Sequence, residues 1–592
     1  MIVIERELTA DEAESVSGKQ VLDLNHQTAG AQNRTKLFRW LDEAEAHPIR
    51  FSNAGKSVSI SDFMALDGYS YWLHVRARIF YQLFRQAQLL DRLPENTDFR
   101  TIQTVYAHPE NHDFWTRWAP QAVCIIPSFP AKSSTQPSRR EALRWLYDAF
   151  KRSFRTLPTS STPVIFFSNV FYNRAGADGF REDRQFETLF AARPEGTLRL
   201  ELMPVPPKSM TADDLLVADA PPFRYANVRL DAVLVRFLLR HPHHIVQAIW
   251  HLKTLRKRFA APFYHEGLGD TPDSVWASLF RTHLQKTRGS VIICHLSRLA
   301  ATNWLRTIRP RVVAGSSENN SIGRTIIEAA RSLDIPTLGL QHGNIDPHNA
   351  DYRFSATLMP QAAPDVFGVW GEETRNWLIE NSHYHPARTI AVGRMVADQA
   401  GQADADANLI QFKQKQKRPL LLFASQAQGL FDEYRTLAAS EVAAFCRAEG
   451  YCCVVKPHPR ETDDGLYRKT FTEAGISERL LEVQGDLYAM ISAADLGGTC
   501  YSTVAWEMMW AGLPCVIFDP LQLDLLRVQK LPFVYSFKRT EIPFSDWKQA
   551  LETHRADAKT AAEAKLGPAD GQCSARVWAL LDELAASPDF IG

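Results

Sequence analysis

Residues 451–461, Tyr-Cys-Cys-Val-Val-Lys-Pro-His-Pro-Arg-Glu, and residues 497–520, Gly-Gly-Thr-Cys-Tyr-Ser-Thr-Val-Ala-Trp-Glu-Met-Met-Trp-Ala-Gly-Leu-Pro-Cys-Val-Ile-Phe-Asp-Pro, decide the fold. Residues 451–455 are short, apolar and followed closely by a proline, the pattern of a buried parallel strand. Pro457 and Pro459 fix φ on both sides of His458 and disfavour helix there. An imidazole, with Lys456 and Arg460, is thereby presented at the carboxyl end of a strand. In the second stretch Ser502 or Thr503 is a good N-cap, 504–511 a short helix, Gly512 its C′ residue and Pro514 its stop. Hydroxyls and free backbone N–H groups at a helix start, helped by the helix dipole, make an anion site. Glu507 falls about one turn after Thr503 on the same helix face, where its carboxylate could accept hydrogen bonds from ribose hydroxyls. The pattern is that of a nucleotide seat, with phosphate at the helix start and sugar one turn deeper.

Upstream the periodicity repeats. Residues 290–294 and 311–315 read as strands, 316–320 as a polar loop capping a helix over 321–333, and 336–341 as the next strand with the exit loop His342-Gly343-Asn344. The handedness of such a βαβ unit puts both strand exits on one sheet edge, where open α/β sheets bind ligands. Glu318 and His342 are thereby brought to one cleft, a carboxylate and an imidazole from separate loops, as general acid–base chemistry requires. Gly343 lets the backbone pass close to a ligand. Glu318 is the first candidate for general base or nucleophile, His342 for orienting donor or acceptor, and Asp346, four residues on, is the competing carboxylate.

Residues 365–370 and 389–392 are further strands around a helix at 372–381, and 122–127, 163–170 and 198–203 are earlier ones. Residues 398–417 are polar and read as an interdomain linker. A second α/β unit starts at 418. The expected fold class is α/β, two Rossmann-like domains facing a cleft. Residues 1–397 form an amino-terminal acceptor-side domain with extra elements, and 418–592 a nucleotide-donor domain. The helical tail over 559–587 is amphipathic enough to pack back across both.

The chain has 592 residues, beyond what one core supports, with 67 Lys+Arg against 67 Asp+Glu. No net field draws it to nucleic acid. Eight cysteines without a Cys-x-x-Cys pair read as reduced core residues. With its early acidic charge the amino terminus is not expected to be a secretory signal, and no uncharged apolar window is long enough to span a membrane. The expected location is the cytoplasm. His241, His243, His244 and His251 have no acidic or cysteine partner nearby in the chain, and Pro242 breaks their helical spacing, so no metal is expected from them. The basic, apolar residues 245–259 leave room for a peripheral contact with an anionic inner-membrane surface beside a helix packed on its domain.

Leu-Gln-His-Gly (340–343), Lys-Pro-His-Pro (456–459) and Ser-Thr-x-x-x-Glu-x-x-x-x-Gly-x-Pro (502–514) resemble motifs of bacterial surface-polysaccharide glycosyltransferases of GT-B architecture. Capsule and lipopolysaccharide transferases that use CMP-activated 2-keto sugars (Kdo and sialic-acid types) are similar in pattern. The resemblance spans roughly residues 290–520. It implies a nucleotide-sugar donor, a glycan or glycolipid acceptor, and a donor phosphate held by His458 with Ser502 and Thr503. Charge on that phosphate is met by Lys456, His458, Arg460 and the helix start at 503, so no metal or other cofactor is implied. A CDP-polyol phosphotransferase shares much of the layout. A UDP-sugar 2-epimerase shares the fold and a nucleotide-binding Glu in a similar helix. A non-catalytic envelope-assembly partner is the alternative from another class.

Overall fold

The computed structural model of the chain describes residues 1–4, 15–16, 19–24, 32–51, 57–93, 97–107, 112–125, 147, 149–151, 153, 164–169, 173–175, 180–183, 185–193, 195–202, 226–268, 275–345, 349–396, 404–425, 432–458, 461, 465–483, 485–520, 526, 528, 531, 533–538, 541–568 and 570–586. The apolar run at 451–455 is the strand Cys452–Lys456. It joins Leu420–Ala424, Leu480–Glu482, Leu496–Thr499, Cys515–Ile517 and Val534–Ser536 in an all-parallel sheet. Numbered along the chain, the strands lie in the order 3-2-1-4-5-6. That is the doubly wound order of dinucleotide-binding sheets, with its switch point between Leu420–Ala424 and Leu496–Thr499. Leu420, Leu422 and Ala424 pack into one core, while Leu421 and Phe423 pack into the core on the opposite face. Burial on both faces is why the strand reads as an unbroken apolar run.

Ahead of it lies a seven-stranded parallel sheet of Val164–Asn169, Thr197–Leu202, Asn227–Arg229, Val312–Ser316, Thr337–Leu340, Val366–Val369 and Thr389–Ala391. Its order is 3-2-1-4-5-6-7, the same winding, with the switch point between Val164–Asn169 and Val312–Ser316. The α/β class with two Rossmann-type sheets therefore holds. A third parallel sheet, unforeseen, is built from Ile2–Ile4, Val21–Asp23, Thr104–Tyr106 and Val123–Ile125. Of its strands only Val123–Ile125 was expected, within 122–127; the other three-residue strands carry too little pattern to stand out from their surroundings.

Two local readings are corrected. Residues 290–294 are the interior of a 34-residue helix, Val275–Ile308. That helix packs on Ser321–Arg331, Trp72–Arg92, Leu230–Arg240 and His243–Ala260, so most of its faces are buried and its apolar positions lose the one-sided 3.6-residue rhythm. Residues within 398–417 are not all linker: Ala407–Gln416 is a helix whose N-cap Asp406 accepts from the N–H groups of Asn408 and Leu409.

The tail crosses between the sheets. The helix Phe544–Leu566 ends with Lys565 Nζ 3.1 Å from Glu373. The next helix, Cys573–Ala586, buries Val577, Trp578, Leu581 and Leu584 against Val164, Phe166, Val312 and Leu338 of the first sheet.

Candidate functional site

At the carboxyl edge of the second sheet, Thr499 Oγ1 donates to Ala424 O at 2.8 Å, tying the two strands that flank the switch point. The Lys-Pro-His-Pro turn leaves Lys456 and His458 half-buried on that edge. Its support is a residue the motif reading passed over. Glu461, with 3% of its side chain exposed, accepts the His458 backbone N–H at 3.0 Å and the Ser425 hydroxyl at 2.6 Å, and pairs with Arg435 at 2.5 Å. A carboxylate that accepts several donors can fix a backbone turn as a cap fixes a helix start. Arg460 lies outside the described residues.

The expected short helix is Val504–Trp510, closed by Ala511 and by Gly512 at φ +77°. Thr503 makes no side-chain cap, and it is Ser502 Oγ that accepts the Val504 N–H at 3.3 Å. Glu507 is placed differently from the expectation of a ribose-facing carboxylate. It is 1% exposed, stands 2.8 Å from the Arg394 guanidinium, and accepts the Tyr488 hydroxyl at 2.8 Å. Arg394 follows the last strand of the first sheet, so this pair joins the exits of both sheets.

The join continues into the Gln-His-Gly loop. The Arg394 guanidinium stacks on the Trp370 ring, 4.6 Å from its centroid. Trp370 donates its backbone N–H to Gln341 Oε1 at 2.7 Å and its indole N–H to Gln341 O at 2.9 Å. Gln341 Nε2 in turn donates to Gly343 O at 2.9 Å. A Cβ on Gly343 would meet no atom within 4 Å, so this backbone faces open space. His342, half-buried at the same edge, accepts the Ser317 N–H on Nδ1 at 3.3 Å. Its ring proton therefore sits on Nε2, and burial pushes its pKa down to about 4, which keeps it neutral near pH 7.

Ser317 has φ +61°, a left-handed backbone for a residue with a Cβ. Glu318, next in the chain, is 4% exposed, and its Cγ would lie 3.0 Å from a Cβ added at Gly339. Its Oε1 accepts the Tyr352 hydroxyl at 3.2 Å. Burial raises its pKa to about 8 against smaller lowering contributions from hydrogen bonds, including that with Tyr352, and from the Arg324 charge. Glu318 thus reaches the sheet edge by its backbone, while its carboxyl group is enclosed and neutral at pH 7. Asp346 lies outside the described residues. The structure brings together Gln341, His342, Trp370, Arg394 and Glu507 as one connected set. Lys456, His458, Ser502 and Thr503 share the exit edge of the second sheet.

Of the four histidines weighed as ligands, His241, His243 and His244 meet one another edge-on or tilted, and His241 and His244 also pack on Phe237. His251 is buried. It meets Asp67 and His295, far away in the chain, which sequence spacing could not bring together.

No family model matches the sequence, and no curated protein matches it significantly. Among solved structures the chain is similar to the UDP-GlcNAc 2-epimerase of Neisseria meningitidis, at 10% identity and TM-score 0.40, over 71% of this chain and 99% of that one. It is similar to the UDP-GlcNAc 2-epimerase of Methanocaldococcus jannaschii at 9% identity and TM-score 0.40, over 71% and 99%. A glycosyltransferase from Rickettsia africae gives 7% identity and TM-score 0.40, over 72% and 99%. Similarities of this size assign no activity.

Proposed function

We propose that the protein is a nucleotide-sugar enzyme, a glycosyltransferase that moves a sugar from a nucleotide donor to a hydroxyl of a surface glycan or glycolipid. The observation that carries this reading is the bridge Gln341–Trp370–Arg394–Glu507, which sets the His342 loop against the exits of a sheet wound in dinucleotide order. The donor phosphate sits by Lys456, His458 and the Ser502–Thr503 turn, with the donor sugar toward Gly343 and His342. Neutral His342 donates a hydrogen bond from Nε2 to a donor or acceptor oxygen. A 2-keto acid sugar carried on CMP is the donor that the motifs favour.

Calorimetric titration of the full chain with CMP, CDP and UDP tests the seat. One nucleotide should bind the wild type, and His458→Ala should lose it while the fold persists. Equal affinity in the variant would overturn the assignment. A preference for UDP without need of an acceptor would move the reading to a sugar-nucleotide epimerase, and turnover of a CDP-polyol to phosphotransfer.

We also propose that the helix His243–Ala260 brings the enzyme to an anionic membrane surface. Ile245, Val246, Ile249 and Trp250 are exposed on it, and no acidic residue occurs from 232 to 265. Among the described residues, no helix is long and apolar enough to cross a membrane.

A further inference from the structure

The hairpin Ala65–Leu66/Tyr69–Ser70 turns through Asp67 at φ +49° and Gly68 at φ +75°. An Asp-Gly pair with both φ positive is a tight hairpin turn, so the Asp67 backbone has one geometry. The hairpin is held to the helix His243–Ala260 by Arg258, whose guanidinium donates to Phe63 O at 2.6 Å and Ala65 O at 3.0 Å. Onto the Asp67 carboxylate converge two imidazoles from different helices. His251 Nε2 stands 3.1 Å and His295 Nε2 3.6 Å from the same oxygen, Oδ2. The three potential ligand atoms all lie within 4.8 Å of one another.

We propose that Asp67, His251 and His295 form a binding site for a divalent first-row transition ion of the zinc class. A tetrahedral ion with ligand bonds of roughly 2.0–2.1 Å spaces its ligand atoms about 3.3 Å apart, between the 3.1 and 3.6 Å that separate the two imidazoles from Asp67. Two imidazole nitrogens and one carboxylate oxygen suit zinc and its neighbours, whereas calcium and magnesium prefer all-oxygen sets.

Both rings are buried, at 3% and 1% exposure, and the Asp67 side chain is 53% exposed. Three protein ligands with one side open leave a position for water, the arrangement of reactive rather than purely structural zinc. The outer contacts of a metal-ligating histidine are also built. His295 Nδ1 is 2.9 Å from the Tyr71 hydroxyl, which itself accepts from Arg298 Nε at 3.2 Å. Such contacts set the direction of a ligating ring. One residue before His295, the same helix touches the start of the helix that follows the Glu318 loop. Cys294 Sγ contacts Ser321 O at 3.6 Å, and Ser321 Oγ donates to His74 O at 2.5 Å, where Ser321 opens the helix that follows the Glu318 loop.

The test is cobalt titration of the metal-stripped full-length protein, followed by its visible d–d absorption, with zinc competition for affinity. One ion per chain should bind, and zinc should displace it. Asp67→Asn keeps a residue that tolerates positive φ, so the turn survives. It should weaken binding at least 10-fold, and Tyr71→Phe should weaken it about 10–100-fold. His243→Ala, on the same helix but outside the cluster, should leave binding unchanged. Failure to take up cobalt, or uptake indifferent to Asp67→Asn and Tyr71→Phe, overturns the proposal. So does loss of uptake in His243→Ala.

Discussion

Arg394 and Glu507 stand 2.8 Å apart, one from each Rossmann-type sheet, and each is also held by its own surroundings: Trp370 under the guanidinium, Tyr488 against the carboxylate. Arg394 keeps 15% of its side chain exposed, whereas Glu507 keeps 1%. Removing the arginine leaves a buried carboxylate with one donor fewer, a larger loss than the pair's own net contribution. Arg394→Met should therefore destabilise by about 3 kcal/mol. Added to Glu507→Gln it should cost much less, with a coupling of roughly 1–3 kcal/mol read from urea midpoints in a double-mutant cycle.

Glu461 predicts a loss of two kinds at once. It is the common acceptor of the His458 N–H, Ser425 and Arg435. Glu461→Gln loses the charge opposite Arg435 and should cost about 3 kcal/mol. The same variant should weaken nucleotide binding in calorimetry even under conditions where it is fully folded, because the turn carrying His458 loses its anchor.

The enclosed Glu318 makes stability depend on pH in one direction. Its folded pKa, about 8, lies above the unfolded value near 4.3. The folded state therefore holds the extra proton, and the contribution present below pH 4 is lost as pH rises through 8. Glu318→Gln should flatten the fall in stability between pH 5 and 8 and be the more stable protein at pH 9, by a few kcal/mol. Thermal melts across that range check it, and parallel curves for both proteins would refute the assignment.

Two helical glycines predict opposite signs. A Cβ at Gly323 would lie 2.0 Å from Ser317 O, and one at Gly289 would meet nothing within 4 Å. Gly289→Ala should stabilise by about 0.5–1 kcal/mol through helix propensity. Gly323→Ala should destabilise in spite of the same propensity gain. It should also disturb the Ser317–His342 contact, visible as a shifted His342 ring signal in NMR.

The exposed face of the helix His243–Ala260 should bind vesicles containing anionic lipid and release them as salt rises. Val246→Glu with Trp250→Glu should abolish co-sedimentation without lowering the melting temperature by more than a degree or two, since both side chains already face solvent.

Both Rossmann-type sheets were legible where their strands are buried on two faces and read as apolar runs, as at Val164–Asn169, Val312–Ser316, Leu420–Ala424 and Cys452–Lys456, whereas Leu496–Thr499, with Gly497 and Gly498, shows no such run. The Lys-Pro-His-Pro turn and the 504–510 helix were legible from local backbone chemistry. What could not be read was pairing at a distance. Nothing near Glu507 in the chain points to Arg394, and nothing near His251 points to Asp67 or His295. The strand read at 290–294 failed for a related reason: once a helix is covered on most sides, its composition no longer shows which side faced the core. Glu318 was placed at the correct edge, but the strand pattern fixes where a loop starts and not which way its side chain turns.

The helix Cys573–Ala586 covers one face of strands laid down hundreds of residues earlier. During synthesis at 5–20 residues per second, Val164, Phe166 and Val312 wait tens of seconds for Val577 and Trp578 to emerge. The earlier of the two Rossmann-type sheets to be made is thus closed only after the later one has been synthesised. Its unfinished face would be a natural place for a chaperone to hold the nascent chain, and losing the final helix should harm solubility more than it harms the second sheet.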